Sequence, residues 1–90
     1  MEIVRDNRAE QEFELDVAGH RAVAAYQREG DRIVFTHTLV PHAIEGKGVG
    51  SKLIRGALDS ARDQKLKVIP QCSFVRAYIA RHPEYRDLLA

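Results

Sequence analysis

Glu45-Gly46-Lys47-Gly48-Val49-Gly50-Ser51-Lys52-Leu53 separates two kinds of sequence, and the join decides the fold. Upstream the residues alternate. Phe13, Leu15 and Val17 interleave with Glu12, Glu14 and Asp16, a period of two with one apolar and one wet face. Ala18-Gly19 and Glu29-Gly30-Asp31 read as turns around an apolar run from His20 to Gln27. Arg32 to Val40 is the strongest strand, rich in β-branched and aromatic residues (Ile33, Val34, Phe35, Thr36, Thr38), and Pro41 ends it. Ile3-Val4 reads either as a short first strand or as part of a frayed start. Downstream the period changes. Val49, Leu53, Ile54, Ala57, Leu58 and Ala61 fall at offsets 0, 4, 5, 8, 9 and 12, one stripe of a helix. Gly56 inside that stripe costs about 1 kcal/mol relative to alanine, which marks a close approach of another segment. Lys67 to Gln71 is a short strand. Phe74, Val75, Tyr78 and Ile79 begin a second helix, broken at His82-Pro83, and Glu84 to Leu89 forms a last helical turn. Strands joined by short turns make an antiparallel meander. A strand–helix–strand crossover then lays the last strand parallel to Arg32–Val40. The expectation is an α+β fold: a mixed, mainly antiparallel sheet with two main helices, formed by residues 1–90 as one domain.

The glycine stretch also carries chemistry. Between strand and helix, glycines admit positive φ and bring backbone close to a ligand. Free N–H groups and the helix dipole then face the same space, which suits a phosphate or diphosphate, and Lys47 adds a cation. A plain tight turn with a solvated lysine is the competing explanation. A P-loop requires Gly-Lys followed by Ser or Thr, whereas Gly50 precedes Ser51-Lys52. The dinucleotide fingerprint, G-x-G-x-x-G, puts two residues between its last glycines and opens a parallel fold, whereas one residue separates Gly48 from Gly50 and the turn follows a meander.

Composition narrows the function. The 90 residues carry 14 Lys+Arg against 13 Asp+Glu, so the charge argument for nucleic-acid binding is missing. No apolar run reaches the length of a membrane helix, so no membrane partner is expected. Cys72 is the one cysteine and needs no oxidising compartment, which makes the cytoplasm the default location. His20, His37, His42, His82 and Cys72 lack zinc-type spacing, so no metal is expected.

Leu39-Val40-Pro41 followed by Glu45 to Leu53 resembles the acetyl-CoA motif of the GCN5-related N-acetyltransferases. That motif has Arg or Gln, two free positions, Gly, one free position, then Gly or Ala. Gly48 and Gly50 match its last two fixed positions; Glu45 stands at the first, removing one polar anchor and leaving the backbone cradle intact. Ile69-Pro70-Gln71-Cys72-Ser73-Phe74-Val75, with His82-Pro83-Glu84-Tyr85, is similar to the small single-domain branch of that superfamily. The resemblance implies a shortened acetyltransferase fold with acetyl-CoA as cosubstrate. The sheet would splay between its last two strands and admit the pantetheine arm. Leu39 and Val40 would offer backbone groups to its amides, and Gly46, Lys47, Gly48, Val49, Gly50 and Ser51 would hold the diphosphate. The segment from Ser73 to Tyr78 would flank the cofactor. The family's suspected catalytic cysteine maps onto Cys72.

Physical chemistry gives Cys72 two roles. It lies after a strand and before a helix, and a helix N-terminus favours thiolate, the form that accepts an acetyl group. A free cysteine is also an ordinary packing residue; direct attack by an amine then needs a base, for which His37, His42 and Glu45 are the candidates. The acceptor is a primary amine, on a small molecule or on a protein. A non-catalytic CoA-binding or interaction module is the alternative, and the oligomeric state stays open.

Overall fold

The computed structural model describes residues 3–90. Five strands form one sheet in sequence order: β1 (Arg5–Asn7), β2 (Glu12–Val17), β3 (His20–Glu29), β4 (Arg32–Leu39) and β5 (Lys67–Pro70). The first four pair antiparallel; β5 pairs parallel to β4, from Arg32↔Lys67 to Phe35↔Pro70. Helix α1 (Val49–Asp63) makes the crossover between β4 and β5, and α2 (Ser73–Arg81) follows β5. Short 3₁₀ helices span His42–Ile44 and Pro83–Leu88. The expected α+β class and its mixed sheet are therefore present. No helix among the described residues is long and apolar enough to cross a membrane.

The helix stripe read from spacing is the buried one. Leu53, Ile54, Ala57, Leu58 and Ala61 are fully covered and join Phe13, Leu15, Ile33 and Phe35 in the core cluster. Each large side chain so buried contributes about 1.5–3 kcal/mol. Gly56 marks the close approach expected of it, because a Cβ there would sit 2.6 Å from the Cβ of Val4.

That contact corrects the first strand. Ile3-Val4 lies outside the sheet, and β1 is the polar segment Arg5–Asn7. Val4 fills the notch on α1 instead, while Asp6 accepts the buried Tyr26 hydroxyl at 2.5 Å. Burial, and then this bond, push the Tyr26 phenol up to about 12.

The wet face of β2 also differs from expectation, since Glu14 is 2% exposed. The neighbouring strands cover it. Arg5 Nη2 lies 2.9 Å and Arg21 Nη1 3.7 Å from its Oε1, and Asn7 Nδ2 donates to its Oε2 at 3.0 Å. The hydrogen bond shared with Glu12 is the largest influence, holding Glu14 below the usual carboxylate range and pushing Glu12 above it. Asn7, Arg21 and Arg5 add to the lowering of Glu14 against the opposing effect of burial.

Opposite β1, the chain end fastens down the sheet's other edge. Leu89 bridges Val68 in parallel, and the Ala90 N–H donates to Val68 O at 3.0 Å. Arg62 grips both Asp87 oxygens, at 2.6 and 3.0 Å, and donates to Glu84 O at 2.8 Å.

Candidate functional site

The site begins with an irregularity in β4. Ala25 and Tyr26 are consecutive on β3, yet they face His37 and Phe35, so Thr36 is an extra residue on β4. Such a bulge kinks a strand and ends regular pairing. Here it coincides with the loss of β5: the last β4–β5 pair is Phe35↔Pro70, and Cys72 N–H caps it by donating to Phe35 O at 2.9 Å. Beyond that point, from Thr36 to Leu39, β4 has a strand partner on the β3 side only.

The start of α1 stands beside this open edge. Its N-cap, Gly48, adopts φ 71 and offers no side chain to cap the helix. A helix leaves its first N–H groups without internal partners, and an N-cap side chain usually satisfies one of them. Among the described residues, no backbone or side-chain acceptor takes the N–H groups from Gly46 to Ser51. The helix dipole adds partial positive charge at the same place. The residues thus fit a doubly charged diphosphate.

Between the open edge and this helix start lies a groove of about 520 Å³. Thr38, Leu39 and Val40 form one wall. Ile44, Glu45 and the residues from Gly46 to Ser51, Lys47 excepted, form the other. Phe74, in the first turn of α2, closes one side. A Cβ on Gly50 would meet the Phe74 ring at 2.6 Å, so the glycine there makes room for an aromatic ring. Leu39 is 58% and Phe74 37% exposed, so two of the few exposed large apolar side chains face one cavity.

Of the residues singled out from sequence, Leu39, Val40, Gly46, Gly48, Val49, Gly50 and Ser51 line the groove, whereas Lys47, Cys72, Ser73 and Tyr78 do not. Lys47 and Ser73 are exposed outside it. Tyr78 belongs to the core: it is buried and its ring stacks on His82 at 3.9 Å. Desolvation pushes its phenol up. Cys72 caps α2 as expected, and its Sγ lies 3.3 Å from the Thr38 hydroxyl, one side chain behind the groove wall. Of the candidate bases, His37 and His42 are exposed outside the groove, and Glu45 is on its rim, 3.6 Å from His42 Nδ1. Sequence reading passed over Thr38 and Ile44, and it named Phe74 only as part of a flanking segment. Phe74 carries one signal, an aromatic in the first turn of a helix, while its meeting with the glycine turn is a tertiary contact. Thr38 carried none, because its place depends on the bulge.

Residues 12–88 match the profile of the GCN5-related N-acetyl-transferase family. The chain belongs to this family. It is 34% identical over 83 residues to Protein NATD1 of Mus musculus, covering 89% of this chain and 76% of that protein. Protein NATD1 of Homo sapiens is likewise 34% identical over 83 residues, with 89% and 74% covered. The solution structure of a GCN5-like protein from Staphylococcus aureus superposes with a TM-score of 0.74 at 28% identity, covering 97% of this chain and 86% of that one. Acetyl transfer is the general chemistry of the GCN5-related family, and its fold generally binds acetyl-CoA. The family's mixed sheet is the one seen here, with the groove at the point where β4 and β5 part.

Proposed function

We propose that this chain is an acetyl-CoA-dependent N-acetyltransferase acting on a primary amine. One observation carries the reading: among the described residues the N–H groups from Gly46 to Ser51 have no acceptor, and all of these residues but Lys47 line a groove whose other wall is the half of β4 that lacks a β5 partner. The amides and the helix dipole hold the diphosphate. The β4 edge offers N–H and C=O groups to the pantetheine amides, in the manner of an added strand. Leu39 and Phe74 shield the arm from water. Acetyl-CoA brings an activated acetyl group as a thioester. The amine nitrogen attacks its carbonyl, the C–S bond breaks, and the departing thiolate takes up the proton that the amine loses.

Direct transfer is the preferred route. Cys72 is 7% exposed and its sulfur faces the Thr38 hydroxyl, which supports a role in shaping the wall. The covalent route draws its support from the same contact, since Thr38 lines the groove.

Thermal shift with CoA, acetyl-CoA and ATP tests binding. CoA and acetyl-CoA raise the melting temperature, by about 2.7 kcal/mol of stabilisation at a hundredfold excess over Kd, and ATP does not match them. No shift with either thioester or thiol ends the proposal. Binding without turnover on a panel of primary amines leaves a CoA-binding module instead. Intact mass after incubation with acetyl-CoA separates the routes: acetyl found on the Cys72 peptide and removed by an amine overturns direct transfer.

A further inference from the structure

A second cavity, of about 400 Å³, lies against α2 and the chain's final 3₁₀ helix. Its apolar floor consists of Pro70, Ile79, Ala80 and Leu89, and its charged walls are Arg76 and Arg86. The volume lies within the range of ligand-sized clefts. One wall and part of the floor are held in place by the fold. Arg76 Nη1 donates to Pro70 O at 3.0 Å and Gln71 O at 3.3 Å, which fixes the guanidinium at the cavity edge. Leu89 is pinned by its parallel bridge to Val68 and by the Ala90 N–H bond to Val68 O. It nevertheless leaves 40% of its surface exposed.

The charges here are uncompensated. Arg86 forms no ion pair or hydrogen bond through its side chain among the described residues. Helix α2 carries Arg76 and Arg81 and no acidic residue. Asp87, next to Arg86 in the chain, has both oxygens bound by Arg62. No acidic side chain lines the cavity. An apolar floor between two guanidinium groups is complementary to a segment that presents an aliphatic side chain next to carboxylates. Guanidinium forks take carboxylates through paired donors, and a spare fork beside buried apolar surface is suited to such a segment.

We propose that this cavity is a docking site for an acidic, aliphatic-bearing segment of a partner protein. Arg86 and Arg76 pair with its carboxylates, and the floor at Ile79 and Leu89 receives its aliphatic side chain. The site is separate from the transfer groove, with which it shares no lining residue, so it does not depend on the acetyl-transfer reading.

Fluorescence anisotropy of a labelled octapeptide alternating glutamate and leucine tests the site. Saturable binding is expected, weakened about tenfold by Arg86→Glu, the effect of losing a charge-assisted pair. Leu89→Ser weakens it separately through the floor. Raising salt from about 0.05 M to about 0.5 M weakens it as well, as screening requires. Each variant is checked for an unchanged melting temperature and CoA shift, which keeps a folding defect apart from a lost site. The proposal fails if the peptide shows no saturable binding. It also fails if Arg86→Glu binds like the parent, or if a lysine–leucine peptide binds equally well.

Discussion

The two halves of β4 share one strand and do opposite things. From Arg32 to Phe35 the backbone pairs on both sides, and Ile33 and Phe35 are each 1% exposed. From Thr36 to Leu39 it pairs on one side, and Leu39 stands 58% exposed. The first half holds the molecule together. The second half leaves one backbone edge and apolar surface open to the groove. The change occurs at the bulge residue Thr36, where Cys72 also turns the chain from β5 into α2. A small fold thus obtains an open edge by interrupting its own sheet.

Mutations should separate the halves. Phe35→Ala in the closed half leaves a cavity among Phe13 and Tyr26, whose rings lie 6.1 and 6.5 Å from its own. It should cost about 3–5 kcal/mol, seen as a fall in the urea midpoint. A loss under about 1 kcal/mol would mean that the closed half is not the load the fold rests on.

At the open end, Gly50→Ala drives a Cβ into the Phe74 ring and should cost about 1–3 kcal/mol. Phe74→Ala in the same chain should recover most of that loss, a coupling read from a double-mutant cycle. Gly48→Ala meets no atom but forces alanine to φ 71, at about 1–2 kcal/mol. It should weaken CoA binding as well, because the amide cradle depends on that turn. Leu39→Ala should change stability by no more than about 0.5 kcal/mol while reducing the CoA-induced thermal shift. If it destabilises the chain as Phe35→Ala does, the contrast between the halves is lost.

The smallest effect concerns the clasp beside β5. Arg62 beside Asp87 holds its carboxyl below the usual range. A carboxyl depressed in the folded state contributes stability above its unfolded pKa and loses it as pH falls through the folded value. The melting temperature should therefore fall as pH drops below about 5, and Asp87→Asn should flatten the slope slightly.

The residues explain what was legible beforehand. The stripe from Val49 to Ala61 could be read because helical period is local, and Gly46 to Ser51 because a glycine-rich turn before a helix has few other uses. Gly56 announced a contact without naming Val4, which lies far away in sequence. Glu14 looked solvated because alternation assigns a side chain to a face and cannot say which arginines will cover it. Tyr78 reads as core packing from its place in the second helix and as a cofactor flank only by resemblance, and its ring is buried against His82.

Periodicity and backbone permissiveness act over neighbouring residues, so the elements after the first strand, their order, the buried stripe and the glycine turn are legible in the chain alone. The bulge at Thr36, Phe74 in the notch of Gly50 and Cys72 behind Thr38 emerge only when the chain is packed. Each of these is a fit between segments distant in the chain, set by which surfaces meet when the core closes.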